Sequence, residues 1–351
     1  MRRRSWLIVL AVLATLVLLA IWLVGRLLQP ERLTPMLLSA IAEATGLELS
    51  VSEPADYALR PEPRLRLHGV RASAPGSSEP LLEIGLLDIA LPWQTLFSGE
   101  AAITAVYLDN ARVYLAPVQD WLDQREQTPA STWPTLHDGL RISNSTLVGE
   151  GWQLRVATIA LARFALDQPT TLTVTGNLVR EDSDGENDWP LHLVVDTVIA
   201  RRESTVSFRP LQIALDAASP LPSVRAKGEL VIGAMMHLKL DGELKQWPPQ
   251  WPALPGTDPL LPMALTIDGA GPELATMALA VGLEQAPTRL TFNLVPARLQ
   301  AWLDGDAASP LPPLTGELHA ERMTIDGAEL EGVDIRIEAD AEAEAAADAE
   351  P

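Results

Sequence analysis

Between residues 47 and 338 many segments share one pattern, an apolar side chain at every second position. PRLRLHGVRA (63–72) sets Leu65 and Leu67 between Arg64, Arg66 and His68. LQIALD (211–216), LKLD (238–241), LTID (265–268), RLTFNL (289–294) and DIRIEA (334–339) do the same. Successive side chains of a strand point to opposite faces, so this period predicts strands with one apolar and one polar face. Around Gly85 the phase flips: Leu82 and Ile84 sit at even positions, Leu87, Ile89 and Leu91 at odd ones. A β-bulge at Gly85 would restore a single inner face.

The strands are punctuated by VYLDNARVYL, RISNSTLVG, LKLDGELK, LTIDGAGPEL and MTIDGAELEG. Asn, Asp and Gly accept left-handed backbone, so these motifs are expected to close hairpins between neighbouring antiparallel strands. The expected product is a long meander in which each strand pairs with the next. Three stretches interrupt it. PVQDWLDQREQTPASTWP (117–134) reads as a short helix and a polar linker, and PARLQAWLDGDAASPLPP (296–313) as a second helix and a loop. WPPQWPALPGTDPLLP (247–262) has too many prolines to pair as a strand.

Ahead of the strands, residues 5–25 carry no charge and lie between Arg2, Arg3, Arg4 and Arg26. At about 1.5 Å per helical residue this segment spans a hydrocarbon core of roughly 30 Å. Its apolar run is longer than the 7–15 residues of a cleavable signal, which favours a retained anchor with the Arg cluster in the cytoplasm. PERLTPMLLSAIAEATG (30–46) reads as an amphipathic helix, with Thr34 as cap, Pro35 in the first turn and Gly46 at its end. The organisation is therefore an Arg cluster and transmembrane anchor over 1–28, a helix and first β region over 29–116, and helix and linker over 117–135. The meander continues over 136–338, and an acidic tail follows at 339–351. That tail, of Asp, Glu and Ala, lacks the apolar residues needed to fold.

Composition narrows the chemistry. The chain of 351 residues carries a net charge of −20, which repels phosphate backbones and argues against a nucleic-acid partner. It has no cysteine, so disulfides, thiolate metal sites and Cys nucleophiles are excluded. No phosphate loop, H-E-x-x-H or G-x-S-x-G motif occurs. His68, His137, His192, His237 and His319 are scattered, mostly on the polar phase of strands. EDSDGEND (181–188) lacks the alternating ligands of a calcium loop and reads as a solvated hairpin loop, and NST (144–146) places a glycosylation sequon at an expected turn. No catalytic residue, metal site or cofactor is expected. Trp is unusually frequent, ten against four Phe and three Tyr. Most of these Trp side chains are expected to stopper the rim of the sheet, with Trp247 and Trp251 suited also to a half-wet lipid or protein boundary.

Several segments together resemble the AsmA family of Gram-negative envelope proteins. IAEATGLELSV is similar to the family's step from helix to first strand, and RPEPRLRLHGVRAS to its P-x-L-x-L-x-x-V strand. EPLLEIGLLDIALPWQTLFSGEAAITAVYLDNARVYL resembles its strand, LL-x-G step and following strand pair. Asn110 and Ala111 stand where the family commonly has Gly-Pro. LTGELHAERMTIDGAELEGVDIRIEA resembles its closing repeat. The likeness is clear at both ends of the chain and diffuse between them.

The resemblance implies a mainly β fold: a transmembrane helix, a short amphipathic helix and a long twisted antiparallel sheet with an apolar concave face and a few short helices. It implies a protein of the bacterial inner membrane, N-terminus cytoplasmic and bulk periplasmic, that binds phospholipid acyl chains and serves outer-membrane biogenesis. It carries over no catalytic residues. Candidate groove residues are Leu65, Leu67, Ile84, Leu87, Ile89, Val113 and Leu115. An apolar face must be covered, either by the sheet folding on itself or by acyl chains. The alternative is a periplasmic β-scaffold serving secretion or outer-membrane protein insertion, whose partners are envelope proteins and not lipid.

Overall fold

A computed structural model describes residues 46–58, 62–77, 79–90, 92–93, 104–123, 136, 138–182, 185–251, 253–303, 313–325 and 328–338. The expected anchor, the helix over 30–45, the linker over 124–135 and the acidic tail lie outside the described residues. The chain is mainly β. It divides into two units: residues 1–128 with 142–150, and residues 129–141 with 151–351. The first break falls in the expected linker.

In the first unit β1 (Glu48–Ser50) and β2 (Asp56–Ala58) both pair with β3 (Arg64–Ser73), which pairs with β4 (Pro80–Ala90). Next come β5 (Ala105–Tyr114) and β6 (Leu140–Val148), and helix α1 (Leu115–Asp123) follows β5 directly. Ala55, Leu65, Leu67, Val70, Ile84 and Ala111 form the core.

The phase flip at Gly85 is real, but no single bulge produces it. The β3–β4 and β4–β5 registers run through this level without an offset, Gly69 standing between His68↔Leu86 and Val70↔Ile84 and Gly85 between Ile84↔Ala111 and Leu86↔Asp109. Strands β3, β4 and β5 turn over together. Gly69 (φ 59°), Asn110 (φ 53°) and Asn144 (φ 49°) are left-handed here. Before the level the inner residues are Leu65, Leu67, Leu87, Ile89, Val106 and Leu108, and after it Val70, Ala72, Leu82, Ile84, Ala111 and Val113. A left-handed residue rotates its strand, and neighbours must follow to keep the ladder paired.

Two expected hairpins thus lie inside strands: VYLDNARVYL within β5 and RISNSTLVG within β6. Residues 105–114, which the expected hairpin would have split into two strands, are one strand ending at Tyr114. The sequon Asn144 is a mid-strand residue whose side-chain amide donates to Asp109 Oδ1 at 2.8 Å.

The second unit is the expected meander. Its strands are β7 (Trp152–Leu161), β8 (Pro169–Asp182), β9 (Gly185–Arg202), β10 (Thr205–Ala217), β11 (Val224–Ile232) and β12 (Met236–Leu244). They continue through β13 (Met263–Gly271), β14 (Ala278–Gln285), β15 (Thr288–Leu294), β16 (Leu314–Ile325) and β17 (Ala328–Ile337). Each pairs antiparallel with the next. Helix α2 (Pro296–Leu303) follows β15 as expected and begins on proline, whose fixed φ suits a first turn. MTIDGAELEG does join a hairpin, with Ile325 opposite Ala328. LKLDGELK and LTIDGAGPEL do not: Asp241-Gly242 and Asp268-Gly269 are interior to β12 and β13. The acidic run 181–188 is mostly strand, with Glu181 opposite Glu186 and Asp182 opposite Gly185.

Candidate functional site: an apolar sheet face

Register turns the alternation of the second unit into rows. Leu161, Leu172, Val195, Ile213, Ala226, Gly242, Leu265, Leu283, Leu290, Leu318 and Ile335 stand opposite one another in succession from β7 to β17. No polar side chain interrupts this row. At 4.7–4.9 Å per strand it runs on the order of 50 Å. A neighbouring row, Leu211, Gly228, Leu240, Ile267, Val281, Phe292, Gly316 and Ile337, is equally apolar from β10 to β17. Single-residue offsets in β7 between Val156 and Thr158 and in β10 between Phe208 and Leu211 keep the apolar residues on one face.

The burial of this face differs from that of a packed interior. Leu172, Val195, Ile213, Leu290, Leu318 and Ile335 remain half-buried, although all are large and apolar. Its two buried clusters centre on Leu244, Met263, Leu265 and Leu283 and on Leu211, Ala226 and Leu240. Among the described residues, only Trp247 and Leu254 pack on these clusters from outside the strands. Among the described residues of this unit, the clustered side chains touch chiefly neighbours in their own layer.

The opposite face is wet. Arg209 pairs with Glu229, Arg289 with Glu284 and Arg336 with Glu317. His192 Nδ1 lies 3.0 Å from Thr175 Oγ1, as expected of a solvated strand position. Open depressions dent this face. One of about 380 Å3 is lined by Asp196, Gln212, Arg225, Lys227, Asp241 and Glu243 among others. Both signs of charge face it, and among the described residues no group of His, Asp or Glu is arranged to hold a metal.

The candidates named from the sequence all fall in the first unit, and they divide. Leu65, Leu67 and Ile84 are 5%, 2% and 5% exposed, which makes them interior packing. Leu87, Ile89 and Val113 lie half-buried on the same inner face. Leu115 is not on a strand at all; it opens α1. Sequence reading missed the rows of the second unit as a candidate surface. The signal was present in 211–216, 238–241, 265–268, 289–294 and 334–339, but the degree of cover over those positions depends on what faces them.

Residues 247–262 join β12 to β13 along one edge of the apolar face, where Trp247 and Leu254 pack on it. Trp247 and Trp251 meet edge to face, ring centroids 5.0 Å apart. Gln285 anchors the loop: its Oε1 accepts from Asp258 N at 2.6 Å, and its Nε2 donates to Asp258 O at 3.0 Å and Leu261 O at 3.1 Å. Thr288 Oγ1 donates to Pro255 O at 2.7 Å, and Trp247 N donates to Pro259 O at 3.0 Å.

The family model described as AsmA family matches residues 1–162, a span that takes in β1 to β7. No curated protein and no solved structure matches the chain.

Proposed function

The chain belongs over residues 1–162 to the AsmA family, and on that premise we propose that it is a lipid-binding protein of the bacterial envelope. In this reading it is anchored in the inner membrane by residues 5–25, with both β units in the periplasm. It sequesters phospholipid acyl chains on the apolar face of its second unit and moves them in support of outer-membrane biogenesis. The work is binding and not catalysis.

The observation that carries the reading is the uninterrupted row from Leu161 to Ile335, apolar in every strand and only partly covered. Water over such a surface is costly, and each methylene of an acyl chain laid on it contributes about 0.8 kcal/mol before the entropy of ordering is subtracted. A hydrocarbon tail needs no directional partner, which suits a surface without donors or acceptors.

The test is native mass spectrometry of the full chain extracted in mild detergent. Co-purifying phospholipid is expected, together with its loss in Ile213→Asp and Leu290→Asp variants that still unfold cooperatively. A wild-type protein free of lipid, crosslinking in cells to a stoichiometric protein partner, would overturn the reading in favour of a scaffold.

A further inference from the structure

We infer that the loop over 247–262 is a membrane-contacting tip, through which the apolar face of the second unit meets the interface of a phospholipid bilayer. The inference rests on the lipid-binding reading and specifies where the lipid enters and leaves.

Leu260 is 80% exposed, Leu261 53% and Trp251 38%. Large apolar side chains on a solvated loop usually fold back onto the protein, and these stay exposed on a hydrogen-bonded frame. Gln285, Thr288 and the Trp247–Pro259 bond fix the loop from below, and Asp258 Oδ1 accepts from Leu260 N at 2.9 Å. Ordering the chain in advance removes the entropic cost of presenting two leucines to a partner.

The chemistry of the tip selects the partner. Asp258 is the one charged residue in WPPQWPALPGTDPLLP, and it is committed to capping the turn. Nearby Lys245 is paired with Asp216. A half-exposed indole and two protruding aliphatic side chains on one loop fit the boundary between headgroups and acyl chains. With no Lys or Arg in residues 247–262 and a net charge of −20 on the chain, a neutral phospholipid surface is favoured over an anionic one. Trp247 and Leu254, at the base of the same loop, pack on Leu244, Met263, Leu265 and Leu283. The tip is therefore continuous with the apolar face, and a tail leaving a bilayer at Leu260 would reach the first row past Trp247.

The chain lacks cysteine, so Leu260→Cys creates a unique thiol for an environment-sensitive dye. Full-length protein in nanodiscs is mixed with phosphatidylcholine vesicles whose acyl chains carry a quencher. Quenching and a blue shift are expected for the dye at 260, and neither for a dye at Lys239→Cys on the polar face. The paired variant Leu260→Asp, Leu261→Asp should slow lipid delivery to the vesicles by about tenfold or more while co-purified lipid is unchanged. A dye at 260 that stays unquenched in protein still carrying lipid overturns the inference. So does a dye that shifts only when envelope proteins are added. Loss of bound lipid with quenching intact would instead count against the lipid-binding reading alone.

Discussion

A Cβ placed on Gly69 would lie 2.7 Å from the Cβ of Ser52 and closer still to its hydroxyl, which donates to His68 O at 3.1 Å. Ser52 N also donates to His68 O and Gly69 O, both at 3.2 Å. The break between β1 and β2 therefore sits at the level where β3 turns left-handed. Gly69 is needed twice over, for its φ of 59° and for the space it leaves. Gly69→Ala should cost about 1–3 kcal/mol, the range for a strained non-glycine residue with an added clash. Urea unfolding of the full chain measures it. Adding Ser52→Gly should return only part of the loss, because it relieves the clash and not the backbone strain. Full recovery would show that the backbone at 69 carries no strain.

Position along the apolar phase does not set the cost of truncation; cover does. Leu67→Ala removes a fully enclosed side chain and should cost about 2–5 kcal/mol. Leu290→Ala removes a half-buried one and should cost less than about 1.5 kcal/mol. Comparable losses in the two variants would mean that the second unit's face is packed as tightly as the first unit's core.

The level of left-handed residues is held by a carboxylate. The Ser143 hydroxyl and the Asn144 amide both donate to Asp109 Oδ1, at 2.7 and 2.8 Å, and hold its carboxyl below the ordinary 3.8. Arg71, donating to Glu83, does the same there against a smaller opposing effect of burial, from an ordinary 4.5. A depressed carboxyl binds fewer protons folded than unfolded. The stability it contributes is present above the unfolded value and lost as pH falls through the folded one. The first unit should thus weaken progressively below about pH 4. Denaturation midpoints at neutral pH and at low pH test this. Ser143→Ala should reduce the difference between them, and an unchanged difference would remove Asp109 from the account.

Among the anchors of the loop over 253–262, Gln285 makes the most bonds. Gln285 bonds the backbone of Asp258 and Leu261 through both side-chain atoms. Gln285→Ala should loosen the loop by about 1–3 kcal/mol of local stability. Limited proteolysis within 253–262 should then accelerate while the unfolding midpoint of the whole chain moves little. Protection equal to wild type would place the anchoring elsewhere, with Thr288 the next candidate.

Most strands were legible because side-chain direction alternates with a period of two wherever a strand occurs. Leu65 and Leu67, or Leu265 and Ile267, announce their face from local sequence alone. The helices at 115–123 and 296–303 and the unpaired Pro/Trp stretch were legible for equally local reasons. The Asp-Gly and Asp-Asn motifs were not. Residues that accept left-handed backbone can close a hairpin, turn a strand over as Asn110 does, or continue a strand as Gly242 does, and only the residues opposite decide which.

What the sequence by itself determined is therefore the strands, their order and the side of each that avoids water. Only the tertiary structure decided that β3, β4 and β5 invert at one level, that Leu65, Leu67 and Ile84 are enclosed, and that the row from Leu161 to Ile335 is only partly covered. Periodicity is a property of one strand, whereas register and cover belong to the strands beside it and the layer above it.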